Sequence, residues 1–424
     1  MVMKDFKVFV QLASYRDPQL VPTMRSALQN AKYPERLNFG ICWQRDKKES
    51  LKEFSDHSQV RYQDIDYRYS KGLGWARSKV AELYEDEEFT LQLDSHHRFA
   101  KDWDVMLYED YKQASQLSTR PIITTYLTPF ETEGEDLKTS QLNLTPCLMS
   151  QYEFSSDKLL MSMPWYIQDY KDRSHVIRAR TLSGHFIFTK SDFLKEVPYD
   201  PDIYFGGYCE ETSMSVRAWT SGYDFFSPYR QYIWHEYTRK GRPKHWDDHS
   251  KESKTNATSG ERDVLARNKV RQLFQQEDNN ISLEGFDLGN VRTLKQYEDF
   301  CGFDFKNCEL QDYTLQVKEP PNPIWDRTQK PELKYIDIEW DVNHFKNQQV
   351  DKKIKVITLG IVDKQQENLV RKDFTIEEYP SILDFSVNNL LIEVDIKKAK
   401  KLIMYGLFTD NSWSEPYIKE FNFL

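Results

Sequence analysis

The amino-acid sequence predicts an α/β domain on a largely parallel sheet, joined through a proline-rich stretch to an all-β sandwich. Two observations predict it. Strand-like and helix-like segments alternate through the first third of the chain, the pattern of parallel strands linked by crossover helices. Beyond about residue 330, six strand-like segments follow one another with almost no helix between them, which suggests antiparallel packing. A length of 424 residues accommodates both parts.

The elements follow in order. KVFVQLASY from residue 7 is a first strand, QLVPTMRSALQNA a helix, LNFGICWQ and QVRYQDIDY two more strands, and GWARSKVAELY a second helix. In FTLQLD, Phe89, Leu91 and Leu93 alternate with Thr90 and Gln92, the period of a half-buried strand. DWDVMLYEDYKQASQL then reads as a helix and PIITTYLTPF as a strand. Residues from about 130 to 180 are polar and weakly periodic, which predicts a long irregular segment of the kind that forms a functional lid or is disordered. HFIFTK is a strand, EETSMSVRAWTSG a helix stopped by Gly222, and YIWHEY an apolar segment that ends near a histidine. ERDVLARNKVRQLFQQ and TLKQYEDFCGF are short amphipathic helices. These assignments predict an α/β domain over 1–318 with a helical extension from about 253, a linker over 319–330 containing Pro320, Pro321 and Pro323, and a β-sandwich over 331–424.

Composition narrows the function. Hydrophobic residues make up 39% and charged residues 29%, with no long uncharged apolar run, so no transmembrane helix is expected. The net charge of −9 comes from interspersed acids and bases, which argues against a nucleic-acid surface. Five scattered cysteines form neither a disulfide framework nor a zinc ribbon, and a cytoplasmic compartment follows. Neither GxGxxG after the first strand nor GxxxxGK[ST] occurs, which removes the usual dinucleotide and P-loop readings.

The chemistry concentrates in LQLDSHHRF. A carboxylate and imidazoles where a buried strand runs out suit a divalent cation, and ligands of open α/β sheets bind at that end. The candidate residues are Asp94 and His96, a glycine pair followed by two glutamates (Gly206, Gly207, Glu210, Glu211), and His235 at a later strand end. Plainer roles remain open for each taken alone. Asp94 can cap a turn, Arg77 can pair along a helix, and Glu210 and Glu211 can favour a helix N-terminus. His185 can be a satisfied core histidine and His235 a solvated strand end.

Taken in order, these features resemble the metal-dependent GT-A glycosyltransferases. More narrowly, VQLASYRDP, KGLGWAR, LQLDSHHRF, SGHFIF and FGGYCEETSMSVRAW resemble the GlcNAc-transferase family that includes the protist enzymes adding α-linked GlcNAc to hydroxyproline or threonine of proteins. The resemblance spans roughly residues 6 to 250 and implies a GT-A, Rossmann-like first domain. It implies Asp94, His96 and His235 as ligands of Mn²⁺ or Mg²⁺, and Asp94 as a donor contact too. Ser14, Arg16, Asp17 and Arg77 are implied as nucleotide contacts, with Glu210, Glu211 and His185 around the donor sugar and acceptor. His97 stands where other residues are common. The implied reaction is retaining transfer of GlcNAc from UDP-GlcNAc to a protein hydroxyl. A saccharide or lipid-linked acceptor is the alternative within the same chemistry, and a non-catalytic carbohydrate-binding protein the alternative outside it. The run YTRKGRPKHWDDH, with His245 and His249, reads as a loop closing over the diphosphate. Exposed strand edges in the sandwich would permit a homodimer.

Overall fold

The computed structural model describes residues 6–422 except 134–135, 139–141, 205–206, 239–241, 252–253, 255–256, 326–332, 350–351, 378 and 384–386. The chain divides into two compact units, Met1–Ile324 and Trp325–Leu424. Of the expected linker, residues 326–330 lie outside the described residues.

The first unit is organised by an eight-stranded sheet. Its opening strands are β1 (Val8–Tyr15), β2 (Leu37–Arg45), β3 (Val60–Asp66) and β4 (Phe89–Asp94), all parallel, in the spatial order β3-β2-β1-β4. Helix α1 (Leu20–Asn30) connects β1 to β2, and α2 (Leu73–Ala81) connects β3 to β4. The two helices cover opposite faces. Val8, Val10 and Leu12 of β1 share a core with Leu20, Met24 and Ala27 of α1, while Phe9 and Ala13 share another with Ala76 and Val80 of α2. Burial on both faces explains why KVFVQLASY reads as a nearly continuous apolar run.

Beyond β4 the sheet continues through Phe186–Lys190, β6 (Pro121–Thr124), Asp224–Ser227 and Ile177–Ala179, with β5 (His97–Phe99) lying outside it. Phe186–Lys190 runs antiparallel to both β4 and β6. The order reverses between β1 and β4, so the crevice past their carboxyl ends is a switch point of the kind that binds ligands. The helices Gly207–Thr220, Ser259–Leu273 and Leu294–Cys301 pack with Phe303 and Phe305 into a second core on this unit.

One expectation fails in the first unit. Within the stretch read as irregular, Cys147–Phe154 and Leu160–Tyr166 form an antiparallel hairpin. A register shift between Met161 and Ser162 breaks the alternation that would otherwise mark the second strand. The second unit contains a two-stranded sheet, Leu333–Asp341 with Val387–Asp395, and a four-stranded antiparallel sheet including Ile354–Val362 and Lys401–Phe408. Ile338, Trp340, Ile392 and Val394 of one sheet share a core with Ile357, Leu359, Leu402 and Met404 of the other, the arrangement of a β-sandwich.

Candidate active site

Strand β4 ends on Asp94, in register with Ala13 of β1. The chain turns through Ser95 and His96 into β5, which pairs antiparallel with Ile233–His235 so that His97 lies directly opposite His235. That short ladder brings His235 to the end of β4. Its Nε2 lies 3.2 Å from Asp94 Oδ2, and His96 Nε2 lies 3.7 Å from the same oxygen. One ligand atom from each of Asp94, His96 and His235 falls within 4.8 Å of the other two.

Each of these groups is held from behind. Asp94 Oδ1 accepts from Arg77 Nη2 at 2.6 Å. Arg77 is completely buried and also donates to the carbonyls of Leu93 at 2.6 Å and Gly184 at 2.9 Å, with Glu210 Oε1 3.6 Å from its Nε. Burial opposes charge on Arg77, but Asp94 and Glu210 outweigh it and keep the guanidinium protonated. His96 Nδ1 lies 2.7 Å from Asp17 Oδ2. A carboxylate only accepts, so Nδ1 donates, and Nε2 is the nitrogen turned towards Asp94. Asp17 also accepts from Ser95 Oγ at 2.8 Å, the Gln19 N–H at 2.9 Å and Arg242 Nη1 at 2.7 Å. Burial would raise the Asp17 carboxyl, yet His96 and Arg242 hold it below the usual carboxylate range.

Burial also drives His235 well below the ordinary histidine range, which keeps its ring neutral and able to bind a cation. For Asp94, burial is outweighed by the hydrogen bond from His235 and the charge of Arg77, so the carboxyl stays ionised. One carboxylate oxygen and two imidazole nitrogens converging on one point fit a divalent ion with positions to spare, and the nitrogens favour Mn²⁺ over Mg²⁺.

Asp94 and His96 of the cluster line a cleft of about 340 Å³, with His235 behind them. Ala13, Gly72, Leu73 and Ala76 line one side, and Gly184, His185, Glu210 and Glu211 another. Tyr126, Ser162, Tyr208 and Trp246 also border it. Trp246 belongs to the run expected to close over a ligand, of which residues 239–241 lie outside the described residues. The remainder straps across the β1 loop. Arg242 bridges Asp17 and Glu236, the latter at 2.8 Å, and Asp248 of the His245–His249 helix accepts from Tyr15 Oη at 2.7 Å and Arg16 Nη1 at 2.9 Å.

Other expected residues fall in different places. Ser14 is fully buried, its hydroxyl has no hydrogen-bond partner, and it does not line the cleft. Arg16 adopts φ +47°, turning the chain so that Asp17 faces His96, and its guanidinium stacks 4.3 Å over Tyr67. Arg77 supports the cluster from the protein interior and does not line the cleft. His185 borders the cleft, but its Nε2 accepts the Leu127 N–H at 3.1 Å and its Nδ1 lies 3.1 Å from Ser183 Oγ, so both ring nitrogens have protein partners.

Gly206 lies outside the described residues. Glu210 accepts from Tyr199 Oη at 3.0 Å, and burial raises its carboxyl despite Arg77. Glu211 accepts the Gly184 N–H at 3.0 Å; burial, reinforced by the charge of Glu210, pushes it up to about 8. Sequence reasoning missed Tyr15, Gln44, Tyr126, Tyr208 and Arg242, because an isolated aromatic, amide or arginine carries no periodic signal.

Among described residues, no helix is long and apolar enough to cross a membrane. No curated protein matches the sequence. Among solved structures, the chain is similar to GalNAc-T7 with UDP, GalNAc and Mn²⁺, at 16% identity and a TM-score of 0.44, over 73% of this chain and 57% of that one. It is also similar to S. aureus TarS, at 12% identity and a TM-score of 0.34, over 98% of this chain and 77% of that one. TarS 1–349 in complex with UDP is similar at 14% identity and a TM-score of 0.33, over 66% of this chain and 76% of that one. The family model described as glycosyltransferase (GlcNAc) matches residues 7–56 and 48–307, a span that takes in Asp94, His96, His235 and both glutamates, and the chain belongs to that family.

Proposed function

We propose that this glycosyltransferase moves GlcNAc from UDP-GlcNAc to a hydroxyl of a protein acceptor, of the serine, threonine or hydroxyproline type, with a divalent ion and with retention at the anomeric carbon. The observation that carries the reading is the Asp94, His96 and His235 cluster beside the cleft at the β1/β4 switch point. A divalent ion held there supplies positive charge against the diphosphate as the bond to the sugar breaks. Arg77 and Asp17 fix two of its ligands, so the cluster need not reorganise on binding. The strap carrying Arg242, His245 and Trp246 excludes water from the strand end.

Glu211, with its carboxyl raised to about 8, keeps its proton near neutral pH and is poised to orient an acceptor or donor group by donating a hydrogen bond, and Glu210 is held by Tyr199. Donor identity, stereochemistry and acceptor class come from the family resemblance. All five cysteines are free thiols, which supports a cytoplasmic setting.

The test is UDP release from a panel of UDP-sugars with Mn²⁺, Mg²⁺ or chelator, beside Asp94→Ala. Metal-dependent turnover of UDP-GlcNAc that the variant loses supports the reading. Equal turnover in chelator, or full activity of Asp94→Ala, overturns the metal assignment, and preference for another UDP-sugar overturns the donor.

A further inference from the structure

Two buried ring nitrogens beside the cluster have no hydrogen-bond partner, Nδ1 of His235 and Nε2 of His97. The two residues are direct cross-strand neighbours, with ring centroids 4.9 Å apart at 63°. We propose that His97 is a positioning residue for the metal site, accepting the Nδ1–H of His235 when His235 Nε2 binds the divalent ion. The inference rests on the metal reading above.

The donor and acceptor roles follow from the partners each ring already has. His97 Nδ1 lies 3.0 Å from the carbonyl oxygen of Asp94, an atom that only accepts, so Nδ1 carries the proton and Nε2 bears a lone pair. His235 Nε2 faces Asp94 Oδ2 at 3.2 Å, the direction from which the ion would be bound. An imidazole that coordinates through Nε2 keeps its proton on Nδ1, and metal-bound histidines almost always donate that N–H to an acceptor. In a dry interior the acceptor must come from the protein.

His185, whose ring centroid is 4.5 Å from that of His235, is already engaged by the Leu127 N–H and by Ser183. Tyr237 Oη donates to the Leu127 carbonyl at 2.6 Å. His97, fully buried and held by the bond from its own backbone N–H to Thr23 Oγ1 at 2.9 Å, is the neighbouring imidazole whose second nitrogen has no partner, whereas the Tyr237 oxygen is shared with Leu127 and His185. The two ligand histidines would then have different supports, a carboxylate behind His96 and a neutral imidazole behind His235. A second histidine after the DxH element is what this arrangement requires.

The experiment measures Mn²⁺ binding without donor, by electron paramagnetic resonance and by the thermal shift that Mn²⁺ induces, for the wild type, His97→Phe and His97→Gln. His97→Phe fills the space without an acceptor and should weaken Mn²⁺ about 10–100-fold. His97→Gln keeps an acceptor oxygen and should recover most of that loss. Melting in chelator should fall in His97→Phe, which loses the bond from Nδ1 to the Asp94 carbonyl at 3.0 Å, so Mn²⁺ affinity is compared on the folded variants and the difference between Phe and Gln reads the acceptor.

Wild-type Mn²⁺ affinity in His97→Phe overturns the inference while leaving the metal reading intact. Equal weakening by Phe and Gln also overturns it, since shape alone would then explain the effect. A wild type that binds no Mn²⁺ sinks the metal reading, and this inference with it.

Discussion

Arg77→Met separates two roles for one residue, since the family resemblance makes Arg77 a nucleotide contact while the structure buries it completely. Methionine approximates the arginine stem and removes the guanidinium. The carbonyl of Gly184 would still accept from Gln92 Nε2 at 2.7 Å, so the loss falls mainly on two carboxylates, Asp94 and Glu210. Removing one partner of a buried ion pair costs about 3–5 kcal/mol. Asp94 keeps His235 at 3.2 Å and Glu210 keeps Tyr199 at 3.0 Å, which places the expectation at the lower end, about 3 kcal/mol. For a unit of this size, Met1–Ile324, that corresponds to a fall of roughly 4 °C in melting temperature. The assay is a thermal melt in chelator, so that any loss of bound metal does not contribute, paired with calorimetric titration of UDP into the folded variant. A melt within about 1 °C of the wild type, with UDP affinity abolished, would show that the guanidinium serves the nucleotide and that the internal-brace argument is wrong.

Gly184→Ala tests the placement of Glu210. A Cβ at residue 184 would meet Glu210 Oε2 at 2.7 Å and Cδ at 2.8 Å, and Tyr199 limits the retreat of the carboxylate. Overpacking of about 1–3 kcal/mol is expected, with kcat falling roughly 100-fold from the misplaced group, measured by melt and UDP release; unchanged kcat would remove Glu210 from the reaction. Glu211→Gln tests the raised carboxyl. In the folded chain Glu211 holds its proton up to about 8, against 4.5 ordinarily, so between those values the folded state binds more protons than the unfolded one and wild-type stability falls as pH rises. Melts in chelator should show the variant gaining on the wild type from about pH 4.5 to pH 8, and parallel curves would refute the raised value.

What could be read in advance divides along the range of the interactions. The alternation ending at Asp94 exposed β4, and the carboxyl end of a strand in such a sheet is a ligand-binding place whatever the side chains, so Asp94 and His96 were legible locally. His235 was not, because the ladder that carries it is three residues long, too short for a period, and only the family resemblance linked it to Asp94.

The supports behind the cluster lie further out of reach. Asp17 meets His96 across 79 residues of sequence and Arg242 across 225, and neither pairing leaves a trace in composition or spacing. The family resemblance assigned Asp17 and Arg77 to the nucleotide, while the fold turns Asp17 towards His96 and buries Arg77 behind Asp94. A cation site needs this second layer more than most sites do. Its ligands must be deprotonated and correctly aimed before the ion arrives, and in a buried cluster only fixed charges and fixed hydrogen bonds can ensure that. Because Arg242 pairs with the same carboxylate that contacts His96, replacing Arg242 should disturb His96 through Asp17 and weaken Mn²⁺ binding in a thermal-shift titration, and an unchanged Mn²⁺ shift would refute the link.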